Sequence, residues 1–320
     1  MKNSIYSYKQ GLIISCLFLF TLTVKAQTEA DAIMIPQHYF CVGTMFSRTT
    51  WTNYWEGNFK RDNGNIGTLG TNTYVAMANY GITGKLNLLV SVPYVSTTAS
   101  AGTLAGQRGF QDMEVSLKWV PVRQNIGTGV IKLFAIASGS VPLSNYEPNF
   151  LPMSIGMQSK KAKLRILADY HHGKFFVSGS GEYIRRTNIT IDQDAYYTTQ
   201  MNYTNQVAIP DVSSFNFRTG YRSNRWIAEA VLDNNTTLGG FDIRKNDMPF
   251  PSNKMAATMA GLNFKYSFSA IAGLELTAGA DYVLNGSNVG QSTMVHGGAY
   301  YLVNLFKNSK KSDIKSKLID

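Results

Sequence analysis

From about residue 37 onward, apolar and polar residues alternate with period two in segments of nine to thirteen residues. Such alternation sets one face against an apolar medium and the other against a polar one. The clearest case begins at Asp112: Asp112, Glu114, Ser116 and Lys118 share one face, and Met113, Val115, Leu117 and Trp119 share the other. Twelve segments of this kind are predicted, near 37–48, 71–82, 85–96, 110–120, 129–140, 162–171, 174–186, 213–223, 225–236, 255–267, 272–284 and 294–306. Their lengths suit the ~9–11 residues that a tilted strand needs to cross a bilayer. In 129–140 and 294–306 both faces are largely apolar or small, which leaves their inward side open.

The connections alternate in length. Short ones fall at 83–85, 172–173, 223–225 and 269–272, and long ones at 49–70, 97–109, 141–161, 187–212, 237–254 and 285–293. Residues 121–128 read as a medium turn on the short side. A soluble β-sandwich would also alternate. Three features favour a membrane barrel instead: every second connection is long, full charges sit in mid-strand, and Trp119, Tyr183, Tyr221, Trp226, Tyr266 and Tyr282 sit at strand ends. The predicted fold is all-β, a closed antiparallel transmembrane barrel of about 12 strands, with short periplasmic turns and long extracellular loops. An even strand number puts both termini on the periplasmic side of an outer membrane.

Composition narrows the picture further. Charged residues make up 16% of the 320 residues, below the ~25% of soluble domains. Yet the mean hydropathy is −0.12, too low for a bundle of membrane helices. The only long apolar run is 11–24, preceded by Lys2 and Lys9 and followed by Val24-Lys25-Ala26. It reads as a secretory signal peptide cleaved after Ala26. A lipoprotein signal ending at Cys16 would leave too short an apolar segment before it. The expected organisation is a signal peptide over 1–26, a barrel over 27–306 and a basic periplasmic tail over 307–320. Cys41 is then the sole cysteine of the mature chain, so no internal disulfide forms.

With the apolar face turned to lipid, the lumen receives seven acids and eight bases. The acids are Asp112, Glu114, Asp169, Glu182, Glu229, Glu275 and Asp281. The bases are Lys118, Lys132, Lys163, Arg165, Arg186, Arg218, Arg222 and Lys265. Facing lipid at mid-depth, each base would cost about 2–4 kcal/mol. Enclosed, the charges either fill a narrow interior with ion pairs or line a polar path that selects a solute. The long loops carry aromatic clusters: Trp51, Tyr54 and Trp55; Tyr146 and Phe150 with Pro148 and Pro152; Tyr196, Tyr197, Met201 and Tyr203. These either fold over the mouth or extend the interfacial belt.

Candidate chemistry is sparse. The histidines are His38, His171, His172 and His296, without the spacing of a metal site. His171 lies near Ser178 and Ser180, but both serines point inward, away from the lipid face where a barrel hydrolase would work. No phosphate-binding glycine loop occurs. Neither a cofactor, a catalytic residue nor a metal is expected, and an exported chain has no nucleic acid to bind.

Gly81-Ile82-Thr83-Gly84-Lys85-Leu86, running into Ser91-Val92-Pro93-Tyr94-Val95, is similar to a turn and strand of a known family. So are Gly109-Phe110-Gln111-Asp112, followed by Ser116-Leu117-Lys118-Trp119, and the later Tyr183-Ile184-Arg185-Arg186 and Asn288-Val289-Gly290-Gln291-Ser292. Together they resemble the outer-membrane barrel family named for the meta-pathway of phenol degradation. The resemblance implies a porin-like transporter of a Gram-negative outer membrane, passing small solutes, hydrophobic and aromatic ones among them. Its partners would be outer-membrane lipid, the solute and the barrel-assembly machinery. A structural or surface-interaction barrel with a plugged lumen is the alternative, and a lipid-acting barrel enzyme a more distant one.

Overall fold

The computed structural model describes residues 27–244 and 247–305. The expected signal peptide and basic tail lie outside the described residues. Twelve strands form one antiparallel sheet: β1 (Tyr39–Trp51), β2 (Leu69–Gly81), β3 (Leu86–Ala99), β4 (Asp112–Ile126), β5 (Gly129–Pro142), β6 (Lys161–His172), β7 (Phe175–Arg186), β8 (Val212–Arg222), β9 (Trp226–Thr237), β10 (Ala256–Ser267), β11 (Leu274–Ser287) and β12 (Thr293–Asn304). Each strand pairs with its chain neighbours, and β1 pairs with β12 from Tyr39↔Asn304 to Thr50↔Thr293. The sheet therefore closes into a barrel and leaves no edge. No helix occurs among the described residues.

The period-two pattern decides which way each side chain points. In β4, Asp112, Ser116 and Lys118 are buried while Val115, Leu117 and Trp119 are exposed. In β6, Arg165, Leu167 and Asp169 are buried while Leu164, Ile166 and Tyr170 are exposed. The outer wall is thus a band of large apolar residues, the opposite of a water-soluble surface.

Several strands run to 14 or 15 residues, past the predicted ends. The medium turn expected at 121–128 is absent. β4 continues to Ile126, and only Gly127 and Thr128 separate it from β5. Pro121 interrupts the ladder, whose register shifts between Trp119 and Val122 and then resumes at Val122↔Leu133. A residue without an amide donor fits at such a bulge. Pro93 does the same on β3: pairing to β4 ends at Ser91↔Glu114 and resumes beyond it at Tyr94↔Phe110, within the short strand Arg108–Phe110.

β1 begins and β12 ends at the short-turn rim. The other rim carries the long loops, tied together by Asn288, whose φ is +55°. Its side chain accepts from the amides of Gly57 and Ile243 and donates to Asp242 and to the Lys254 carbonyl.

Candidate functional site

The lumen is occupied by the chain itself. Residues 27–36 enter from the short-turn rim and fold into a compact loop inside the barrel. Gln27 closes this loop: its Oε1 accepts from the Ile35 amide (2.9 Å) and from Asn87 Nδ2 (2.6 Å), and its carbonyl accepts from Asn79 Nδ2 (2.9 Å). Asp31 makes the internal turn, accepting from the Thr28 amide at 2.7 Å and the Ile33 amide at 3.0 Å.

The apolar side chains of the segment meet apolar patches of the inward wall. Ala32 packs with Val120, Phe134, Ile136 and Leu167. Ile33 packs with Phe176 and Ile227, and Ile35 with Cys41, Tyr300 and Leu302. This answers the ambiguity of 129–140 and 294–306: their second apolar face touches the inserted segment. Gly81 is needed where the segment leaves, since a Cβ there would lie 2.1 Å from the Pro36 carbonyl oxygen.

Charges lock the segment in place. Lys118 is fully buried and donates to the carbonyls of Thr28 (2.8 Å) and Asp31 (2.6 Å) and to the Asp31 carboxylate (3.1 Å). Burial pushes the Asp31 carboxyl up, but the charges of Lys118 and Lys265 and the amides of Thr28 and Ile33 together outweigh it and hold the group at about 2. Glu29 accepts from Ser116 and Ser138 and pairs with Lys163 at 2.9 Å. Lys163 also meets Glu114 at 2.7 Å.

The remaining predicted charges sort into local groups on the inward face. Arg165 bridges Glu182 at 2.9 Å and donates to Ser180. Arg218 pairs with Glu229 at 2.6 Å, and Glu275 accepts from Ser267. Asp169 is fully buried, 3.5 Å from Arg222 and 3.7 Å from His171, while the Arg222 guanidinium lies 4.0 Å from the centre of the Phe176 ring. Lys132 stands opposite Asp169 in the sheet register. Asp281 faces His296 at 3.5 Å, and Arg186 donates to the Pro210 carbonyl at the loop side. Asp112 accepts from the Tyr146 hydroxyl (2.5 Å) and from Lys161 (2.8 Å), pinning the long loop after β5 to the wall. Of the loop aromatics, Trp55 and Tyr146 are buried and Tyr203 is fully outside.

Sequence reasoning missed four charged groups. Asp233 and Lys161 had the right parity, in line with Glu229 and Lys163 respectively. Glu29 and Asp31 sit in a loop without periodicity, so nothing in the pattern marked them as interior.

Beyond the inserted segment the lumen opens into a cavity of about 430 Å³. One sector, from β10 round to β2, presents Met45, Met77, Met259, Met294 and Tyr300. The same strands also carry Lys265, Asp281 and His296, with Arg218 on β8, Glu229 on β9 and Glu29 and Asp31 as the floor.

No family model matches the sequence. No curated protein matches it either. Among solved structures, an outer-membrane channel from Pseudomonas putida F1 is similar over 87% of this chain and 100% of its own, with a TM-score of 0.70 and 14% identity. The translocator domain of the autotransporter NalP from Neisseria meningitidis covers 82% of this chain and 87% of its own, at TM-score 0.42 and 13% identity. A mutant of the monoaromatic hydrocarbon channel TodX covers 84% and 91%, at TM-score 0.41 and 9% identity. The first likeness establishes the fold: a closed outer-membrane-type barrel.

Proposed function

We propose that this barrel is an outer-membrane channel for passive uptake of small solutes, hydrophobic or aromatic ones included. The observation that carries the reading is the cavity of about 430 Å³, in which four methionines stand among charged side chains. Thioether side chains are flexible and polarizable, so they adapt to apolar guests of varied shape. The inserted segment sits directly beneath, as a stopper that must shift for a solute to leave. The similar structure from P. putida is itself an outer-membrane channel, which supports the reading. So do the turn and strand motifs shared with the meta-pathway family, to which we assign the chain. In this reading residues 1–26 are removed on export, the tail 307–320 is periplasmic, both termini face the periplasm, and the assembly machinery inserts the barrel. No catalytic role falls to Ser178 or His171.

A second reading takes the barrel as structural, its lumen sealed for good. The fully buried Lys118 anchor favours it. Uptake separates the two. A deletion strain and the wild type are compared for aromatic hydrocarbons, fatty acids and sugars. The channel reading expects slower uptake of the apolar solutes in the deletion strain and unchanged sugar uptake. Equal uptake of all three, with altered envelope integrity, points to the structural barrel.

A further inference from the structure

The two rims differ in charge. On the long-loop rim Glu56, Asp62 and Asp242 stand among Lys60, Arg61 and Arg244. On the short-turn rim, among the described residues, Lys85, Arg123, Lys174 and Arg225 are exposed, and the acids at that depth, Asp169 and Glu275, are fully buried inside the lumen. Among the described residues, the outer surface of this rim therefore presents cations alone.

Next to two of those cations the outer wall carries a continuous aromatic shelf. Phe175 meets Tyr221 edge-on at 5.4 Å, Tyr221 stacks on Trp226 at 4.6 Å, and Trp226 stacks on Phe264 at 6.3 Å. Lys174 Nζ lies 5.7 Å from the centre of the Tyr221 ring. The shelf is open to its surroundings: Phe175 is 68% and Phe264 47% exposed. The backbone beneath the cations is fixed, with the Arg222 amide donating to the Lys174 carbonyl and the Ser267 amide to the Arg225 carbonyl, both at 2.6 Å. Lys174 and Arg225 adjoin strands two apart, about 10 Å across the sheet. Their long side chains can converge over one headgroup.

We propose that this corner is a binding site for an anionic phospholipid, its phosphate held between Lys174 and Arg225 and its acyl chains laid over Phe175, Tyr221, Trp226 and Phe264. Two cations without an acid beside them favour a headgroup of net negative charge over a zwitterionic one. Aromatic rings at this depth sit at the headgroup boundary, where chains can pack on their faces. A soluble acidic segment would satisfy the cations and leave the rings uncovered, whereas a lipid covers both. The site lies outside the barrel, so it is independent of whether the lumen conducts.

Native mass spectrometry of the detergent-solubilised barrel tests the proposal with short-chain phosphatidylglycerol and phosphatidylcholine of equal chain length. Phosphatidylglycerol is expected to bind roughly tenfold or more tightly. Replacing both cations, Lys174→Gln with Arg225→Gln, should abolish that preference while heat-modifiable gel mobility stays intact. A control pair on the loop rim, Lys60→Gln with Lys160→Gln, should keep it. Trp226→Leu should weaken both lipids and leave their ratio unchanged. Equal affinity for the two lipids in the wild type, or equal loss of preference in the control pair, would overturn the site.

Discussion

At the scale of single residues, the Lys118–Asp31 pair holds the stopper. Both side chains are almost wholly out of contact with water, at 0% and 7% exposure. Removing one partner of a buried pair strands the other charge, which costs about 3–5 kcal/mol. Asp31→Asn should therefore loosen the inserted segment while the barrel wall persists, read as faster swelling of liposomes that contain the variant. The pH response follows from the same pair. The Asp31 carboxyl is held at about 2, against an ordinary value of 3.8. A depressed value means that its contribution is complete above about pH 4 and drains away as pH falls toward 2. Wild-type permeability should climb as pH falls below 4. The Asn variant should already be permeable at pH 7 and show a smaller step in acid.

At the scale of elements, the strands were legible because a wall between oil and a charged interior forces a period of two. All twelve predicted segments overlap observed strands, and the largest disagreement is at the turn-side end of β4, which runs on to Ile126. The turn at 121–128 misled because Pro121 and the exposed run after it look like a loop, although the ladder resumes past one bulge. The inserted segment was not legible, since ten residues without periodicity carry no sign of burial. Only the apolar inward positions of β5 and β12, such as Phe134, Ile136 and Leu302, hinted that something apolar would meet them. Two glycines of one turn separate these roles. A Cβ at Gly81 would strike the Pro36 backbone, and one at Gly84 would meet nothing within 4 Å. Gly81→Ala should displace the stopper and lower thermal stability by about 1–3 kcal/mol. Gly84→Ala should behave as wild type in the same melting and swelling measurements.

At the scale of the whole molecule, charge and apolarity are layered along the barrel axis. The short-turn half is closed by the N-terminal segment on an apolar floor. The middle holds ion pairs and a methionine-walled cavity, and the far rim is tied by Asn288. The charged lumen could be drawn from the sequence in outline, residue by residue, because parity fixed which acids and bases turn inward. Its partners could not, because Glu29 and Asp31 come from outside the strands. A closed barrel is stoppered by its own residues 27–36. Single-channel conductance in planar bilayers tests it most directly, comparing the wild type with a variant that lacks those residues and retains heat-modifiable mobility. The wild type should show small, infrequent openings and the variant a steady conductance several times larger. Identical conductance in the two proteins would contradict it.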